Sequence, residues 1–113
     1  MIPYESVLDL IGNTPLVDVS RLSPNPNVRI IAKLENQNPF GSVKDRIAKS
    51  MIEDAEKHGR LLPGQTIVEP SSGNTGIALA AIAQIKGYPI KILMPTSVSI
   101  ERRQMLDIFG AEV

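Results

Sequence analysis

The sequence lacks the residues that build most metal and disulfide sites. It has no cysteine and a single histidine, His58, among its 113 residues. Disulfides and clusters of thiolate or histidine metal ligands are therefore excluded, and we expect no metal site. Aromatic residues make up only 4% and tryptophan is absent. This argues against the stacking platforms that bind single-stranded nucleic acid.

The sequence also lacks an excess of charge and a long apolar run. Lys plus Arg and Asp plus Glu number 12 each, so neither nucleic acid nor an anionic membrane is favoured as a partner. The most apolar run, residues 77–83, is far too short to span a bilayer. The first nine residues carry Glu5 and Asp9 without a basic region leading into an apolar stretch. We therefore expect no secretory signal and a cytoplasmic protein.

What the sequence has is short apolar blocks separated by glycine and proline, a pattern that favours an α/β fold. Two strands are predicted early, and an alternation of helix and strand follows from residue 42. The predicted helices are 42–58, 75–86 and 99–109, and the predicted strands are 16–19, 28–34, 66–69, 89–94 and 111–113. Such alternation is typical of a parallel sheet flanked by helices on both faces. Because a strand beginning at residue 111 has no following helix to cover it, we expect the sequence to be a fragment of a larger protein.

The segment Pro70–Gly76 is the first candidate for chemistry. It connects the end of a predicted strand to the start of a predicted helix. The unpaired N–H groups and the dipole of the helix favour an anion there. Ser71, Ser72 and Thr75 add hydroxyl groups, and the glycines allow a ligand to approach the backbone. The segment has neither the Walker pattern nor the dinucleotide pattern, which disfavours a nucleotide-binding domain. From the residues alone, a capped helix start and a site for a small carboxylate or phosphate remain equally open.

The second candidate is Lys44, which we expect in the first turn of a helix capped by Ser42, with Asp45 completing part of a capping box. A positive charge opposes the helix dipole at this position, so a merely structural lysine is disfavoured. An exposed lysine paired with Asp45 is nevertheless the simpler interpretation, because most lysines are solvated surface charges. Two further features have structural interpretations. Arg102 and Arg103 suit a solvated helix face, and His58 suits a helix end.

Five blocks of the sequence resemble one enzyme family in order and spacing. They are Leu10–Leu16, Lys33–Pro39, Gly41–Arg46, Glu69–Ile77 and the stretch from Met94 to Glu112. Together they are similar to the cysteine synthases (O-acetylserine sulfhydrylases) and the related cystathionine β-synthases. These enzymes share the tryptophan synthase β-like fold of pyridoxal-phosphate (PLP) enzymes, fold type II. The resemblance covers essentially the whole chain and implies the small N-terminal α/β domain of that fold, apparently truncated.

The resemblance implies a role for each residue of the two candidate segments. Lys44 matches the catalytic lysine that holds pyridoxal 5′-phosphate and moves the proton at the substrate Cα. Asn74 matches the asparagine that hydrogen-bonds the 3′-oxygen of this cofactor. The loop that binds the α-carboxylate of the substrate corresponds to Ser71, Ser72, Gly73, Asn74 and Thr75. Ser71 stands where many relatives have threonine, which keeps the hydroxyl.

The resemblance also divides the chain. Residues 1–37 correspond to a segment that packs on the large domain in relatives, and residues 38–113 correspond to part of the small domain. The large C-terminal domain has no counterpart here. With it are missing the loop for the cofactor phosphate and the residue at the pyridine nitrogen. We therefore expect the 113-residue chain alone to bind pyridoxal phosphate poorly and to lack turnover.

The implied activity is a β-replacement in cysteine biosynthesis. A transferase of this kind forms L-cysteine from O-acetyl-L-serine, or another activated serine, and sulfide. Two alternatives stay open: a lyase of the cystathionine β-synthase type, and an inactive truncated homologue that binds a partner. For the second, the resemblance implies the C-terminal tail of serine acetyltransferase as partner. It also implies a homodimer for the full-length protein.

Overall fold

The N-terminal segment, residues 1–37, contains one pair of antiparallel strands. The computed structural model describes residues 1–113. Strand β1 (Leu16–Asp18) pairs antiparallel with strand β2 (Ile31–Lys33). Strand β2 is shorter than the predicted strand 28–34, because the preceding turn continues to Val28, whose N–H donates to the carbonyl of Asn25 at 3.2 Å. Three short 3₁₀ helices complete the segment: Val7–Leu10, Ser20–Leu22 and Glu35–Gln37.

The remainder of the chain alternates between helices and strands, as predicted. The elements are α1 (Lys44–Lys57), β3 (Ile67–Pro70), α2 (Asn74–Lys86), β4 (Ile90–Leu93) and α3 (Ile100–Ile108). Strands β3 and β4 run parallel. Glu112 extends the sheet through a parallel bridge to Lys91, at the place where a last strand was expected. None of the helices is long and apolar enough to cross a membrane.

Helix α2 is the centre of the hydrophobic core. Its alanines are small enough for neighbours to approach on several sides, and Ala78, Ala80 and Ile82 are completely buried. Helix α1 contacts one side of α2, while α3 and both parallel strands contact others. The helix ends at Gly87, whose φ of +82° is the left-handed conformation that glycine adopts without strain.

The helices cover one face of the parallel sheet. Ile90 and Ile92 of β4 are buried, whereas Lys91 and Leu93 between them are exposed. The expected parallel sheet flanked by helices is confirmed, but within these residues the helices do not occupy both faces. The reason is topological: the connections through α2 and α3 advance in the same direction across the sheet. Right-handed crossovers then place both helices on the same side.

Candidate functional site

Helix α1 begins with Lys44 itself. Val43 occupies the cap position, so the helix starts two residues later than predicted. The hydroxyl of Ser42 still accepts a hydrogen bond from the Lys44 N–H at 3.1 Å, which satisfies one of the free donors of the first turn. The side chain of Lys44 is exposed and takes part in no ion pair or hydrogen bond. Its amine is therefore free to react.

Asp45 does not pair with Lys44 and does not complete a capping box with Ser42, so both of these predictions are wrong. The Asp45 side chain is fully buried, and its Oδ2 accepts a hydrogen bond from the Phe40 N–H at 2.7 Å. Its Oδ1 is buried without a partner. Burial raises the pKa of Asp45, and the hydrogen bond from Phe40 only partly opposes this shift. Asp45 thus holds the turn that leads into α1.

The loop before α2 is organised by Ser71. Its Oγ accepts hydrogen bonds from the N–H of Gly73 at 3.3 Å and from the N–H of Gly76 at 2.9 Å. A Cβ at Gly76 would lie 3.0 Å from the Ser71 side chain, so a larger residue fits only if its neighbours shift. The resemblance assigns Ser71 to carboxylate binding. In the structure, its hydroxyl oxygen already accepts from two N–H groups of the chain itself.

The other predicted residues of this loop keep their donors free. The side chains of Ser72, Asn74 and Thr75 take part in no hydrogen bond, and at the start of α2 only the Gly76 N–H has a side-chain acceptor, the Ser71 Oγ. The first N–H groups of a helix have no acceptor within the helix. The start of α2 therefore presents backbone, hydroxyl and amide donors together, which suits a carboxylate.

Lys44 and Asn74 are the first residues of α1 and α2, two packed helices whose C-terminal ends meet. At the opposite end, Glu56 of α1 accepts hydrogen bonds at 2.7 Å from both Lys86 at the end of α2 and Tyr88 just beyond it. Because α1 and α2 pack together and their C-terminal ends meet, their N-terminal ends also lie on one side. The structure thus brings the two predicted segments to one surface.

Arg102 contacts this surface, although its sequence favoured a solvated helix face. Its Nη1 donates to the carbonyl oxygen of Ser72 at 2.9 Å and lies 3.5 Å from where a Cβ of Gly73 would stand. The signal available in the sequence was positional: the carboxyl ends of neighbouring parallel strands lie together. The first turn of α3 therefore lies beside the loop that follows β3. Arg103 has no such contact.

His58 has the structural position that the sequence favoured. It caps the C-terminal end of α1, and its Nδ1 lies 2.9 Å from the carbonyl oxygen of Asp54 and 3.2 Å from the Asp54 carboxylate. No group of three histidine, cysteine or acidic side chains is arranged to hold a metal ion.

The two pockets of the structure lie away from the candidate residues. A cavity of about 250 Å³ between α1 and β3 is lined mainly by apolar side chains, including Met51, Ile67 and Leu79. A second, of about 200 Å³, is lined by residues of the N-terminal segment around Gly12–Thr14. The candidate site is therefore an open surface at two helix starts rather than a closed pocket of this chain.

Comparisons with known proteins agree with the resemblance. Cysteine synthase B of Salmonella typhimurium is 56% identical over 103 residues, which is 91% of this chain and 34% of the relative. Cysteine synthase 3 of Caenorhabditis elegans is 55% identical over 106 residues, or 93% of this chain and 32% of the relative. The chain thus spans about a third of the length of these curated relatives.

The fold of this chain also agrees closely with that of a solved structure. The crystal structure of a hydrogen sulfide-producing enzyme from Fusobacterium nucleatum superposes with a TM-score of 0.94 at 50% identity, over 100% of this chain and 37% of that one. A model of the family described as "Pyridoxal-phosphate dependent enzyme" matches residues 7–113. The matched range includes both helix starts and the loop before α2, so the chain belongs to the family of pyridoxal-phosphate dependent enzymes.

Proposed function

We propose that this chain is the lysine-bearing part of a β-replacement synthase that uses pyridoxal 5′-phosphate to form L-cysteine from O-acetyl-L-serine, or another activated serine, and sulfide. One observation carries the proposal. The free amine of Lys44 and the free donors of Ser72–Thr75 start two parallel helices at the same end. That arrangement joins a nucleophilic amine with a carboxylate site. The names of the relatives support the reaction.

The residues present fit the cofactor and an amino-acid substrate. Lys44 is an unpaired amine suited to covalent attachment of an aldehyde. The Asn74 amide can donate to the 3′-oxygen, since no other group engages it. When bound, pyridoxal phosphate supplies an electron sink for the substrate Cα. The residues that would hold its phosphate and ring nitrogen belong, by resemblance, to the large domain.

Each chain group then has a task in the reaction. Backbone N–H groups at the start of α2, with Ser72 and Thr75, bind and orient the substrate carboxylate. Lys44 takes the proton from Cα and returns one at the end of the reaction. Ser71, whose oxygen accepts from two loop N–H groups, holds the loop in shape and keeps one hydroxyl proton to donate. Arg102 adds positive charge beside the same loop.

The proposal includes the division of the chain into residues 1–37 and 38–113. Apolar side chains are exposed throughout the first unit; Ile2, Leu16 and Leu22, for example, are 91%, 66% and 80% exposed. A ribbon of two strands is hardly stable without a surface to cover it. These side chains therefore suit packing against a large domain, as the resemblance implies. We also propose that the complete protein is a homodimer and that it is located in the cytoplasm.

A second candidate function is the binding of a partner's C-terminal tail, such as that of serine acetyltransferase. The observation in its favour is that the loop before α2 is open and presents donors suited to any terminal carboxylate. A peptide with a free C-terminal carboxylate, compared with its amidated form, tests this function. Tail binding predicts amide shifts at Ser72–Thr75 with the first peptide and none with the second.

Trapping with borohydride tests the proposed role of Lys44. The chain is incubated with millimolar pyridoxal phosphate and reduced, and the labelled lysines are located by mass spectrometry. We expect the label on Lys44 to exceed that on Lys57, an exposed lysine at the other end of the same helix. Lys44→Ala removes this label. The chimera described next also carries the large domain, so the same labelling is done there, and an equal label on all exposed lysines of the chimera would contradict the proposal.

The reaction itself is tested in a chimera. This chain replaces the matching third of the Salmonella typhimurium cysteine synthase B, and cysteine formation from O-acetyl-L-serine and sulfide is measured. We expect activity in the chimera and none in its Lys44→Ala variant. Formation of cystathionine but no cysteine would favour the cystathionine β-synthase alternative.

A further inference from the structure

A partly buried polar cluster ties the first turn of α1 to the N-terminal segment. Arg46 donates from Nε to Glu35 Oε2 at 2.7 Å and from Nη2 to Glu35 Oε1 at 3.0 Å. Thr14, which is only 7% exposed, donates to Glu35 and accepts from Arg46 Nη2 at 3.2 Å. Asn38 Nδ2 donates to Glu35 Oε2 at 3.0 Å, and Asn38 Oδ1 accepts from the Gly12 N–H at 2.8 Å. We call these five residues the Glu35 cluster.

The ion pair of Arg46 with Glu35 lies at the centre of the Glu35 cluster, and it has a fixed geometry and a permanent charge. A guanidinium that binds both carboxylate oxygens has a fixed orientation, which a lysine cannot reproduce. Hydrogen bonds from Arg46, and then from Thr14, lower the pKa of Glu35 to about 2. The carboxylate therefore stays ionised at any physiological pH. The cluster is not an exposed pair of interchangeable charges, because the Glu35 side chain is only 21% exposed.

The cluster joins parts of the chain that are distant in sequence. Arg46 lies 32 residues from Thr14 and 11 residues from Glu35. Gly12, with a φ of +87°, brings its backbone so close that a Cβ there would lie 3.0 Å from Arg46 Nη1. Three separate chain segments therefore meet at one guanidinium.

The position of this guanidinium matters because the side chain of Lys44 has no partner of its own, and the turn around it is held by Ser42, Asp45 and Arg46. The lysine side chain is exposed and has no partner, and its backbone N–H depends on the Ser42 hydroxyl. The ion pair of Glu56 with Lys86 secures only the opposite end of α1. Arg46, two residues after Lys44 in the same turn, links the start of the helix to the N-terminal segment, whereas another such link, from Lys49 Nζ to the Leu8 carbonyl oxygen at 3.2 Å, lies further along α1.

We propose that the Glu35 cluster positions Lys44, so that the N-terminal segment 1–37 sets the reactivity of the lysine through the first turn of α1. Arg46 and Glu35 are positioning residues here, since they act through the backbone of α1 and touch no reacting atom. The inference rests on the proposed function of Lys44. It adds that a segment outside the helix–strand unit controls the catalytic group.

The test compares two ion pairs on the same helix. Arg46→Ala, Arg46→Lys and Glu35→Gln alter the cluster, while Glu56→Gln alters the pair with Lys86, whose exposure is similar. Two quantities are measured in the complete chain: the rate of borohydride-trapped pyridoxyl labelling at Lys44, and amide hydrogen exchange at Phe40–Lys44. Circular dichroism and urea unfolding report folding and stability.

We expect Arg46→Ala to slow labelling of Lys44 by about tenfold, as misplacement of a reacting group does, and to speed exchange at Phe40–Lys44. Arg46→Lys and Glu35→Gln have intermediate effects, because each keeps part of the hydrogen bonding. Glu56→Gln lowers stability but leaves both readouts unchanged. If Arg46→Ala does not fold, labelling and exchange in Arg46→Lys and Glu35→Gln test the proposal.

The inference is overturned if folded cluster variants keep the wild-type labelling rate and the wild-type exchange at Phe40–Lys44. It is also overturned if Glu56→Gln changes both readouts as strongly, because the effect would then be general loosening of α1. Absence of Lys44 labelling in both the wild-type chain and the chimera contradicts the proposed function instead. In that case the exchange measurement still decides whether the cluster holds the turn.

Discussion

The starts of α1 and α2 lie at the same end of the structure but are built in opposite ways. The start of α1 is held by the two side chains that follow Lys44: Asp45 accepts from the Phe40 N–H, and Arg46 donates to Glu35. The start of α2 is shaped by one hydroxyl, that of Ser71. Its remaining donors have no partner within the chain.

The difference matches the proposed tasks of the two helix starts. A lysine that carries a cofactor must be held in one place, and Asp45 and Arg46 beside it each bind another part of the chain. A loop that receives a carboxylate must keep its donors free until the ligand arrives. At the start of α1, Asp45 and Arg46 have their partners in the folded chain. At the start of α2, the free donors gain a partner only when a ligand binds. The following changes break or sharpen this contrast, from the largest expected effect to the smallest.

Gly76→Ala attacks the shape of the α2 start. The added Cβ would lie 3.0 Å from the Ser71 Cβ and Oγ, so the loop or the helix has to move. We expect the free energy of unfolding to fall by about 1–3 kcal/mol, as overpacking of a tight site does. Urea unfolding measures the loss.

Gly73→Ala is the matched control for this change. It adds the same methyl three residues earlier, where the backbone is extended and the nearest atom is 3.5 Å away. We expect its effect to stay within about 0.5 kcal/mol. Equal losses in the two variants would show that the approach of Ser71 to Gly76 carries no special constraint.

Asp45→Asn tests the buried carboxyl that holds the α1 start. Because burial raises the pKa of Asp45 above its ordinary value of 3.8, the folded state favours the neutral carboxyl. This contribution to stability is present below pH 3.8 and is lost as pH rises through the raised pKa. Asparagine has no charge to bury, so the variant should gain stability relative to the wild type across that interval.

Urea midpoints of both chains from about pH 4 to about pH 7 measure this difference. Asp107→Asn, which removes an exposed carboxylate from α3, serves as the control. A difference between wild type and Asp45→Asn that stays constant with pH would mean that burial does not disfavour the charge of Asp45.

Arg102→Ala tests the weakest link at the α2 start, one exposed hydrogen bond to the Ser72 carbonyl. Loss of a nearby positive charge should weaken binding of acetate by the loop by up to about fivefold, because exposed charges act modestly. Amide shifts of Ser72–Thr75 during an acetate titration give the affinity. Arg103→Ala, which removes the neighbouring charge without a loop contact, should leave the affinity unchanged.

Much of the fold was predictable because its signals are local. The spacing of apolar residues and the glycines at helix ends predicted α1, β3, α2, β4 and α3 in the correct order, with ends displaced by one or two residues. The start of α1 was misplaced because Ser42 caps the Lys44 N–H without being the cap residue. The sequence shows that a hydroxyl group is available, but not which backbone N–H group will donate to it.

The candidate site was predictable in its residues but not in its contacts. Lys44 and the loop 71–75 were recognised by motif and resemblance, and their proposed roles remain predictions. The partners of Asp45, Arg46 and Arg102 were missed or assigned wrongly. Each of these side chains has an acceptor or donor on a different element, up to 32 residues away, and no local pattern encodes such pairs.

By itself, the sequence determined the elements, their order and the chemistry available at two helix starts, because helix periodicity, capping and glycine positions act over a few residues. Only the tertiary structure decided that α1 and α2 run parallel and bring Lys44 and Asn74 to one side. It alone decided that Arg46 turns to Glu35 and that Asp45 is buried. The physical reason is that burial and long-range ion pairs depend on which surfaces meet, and that follows from the packing of the whole chain.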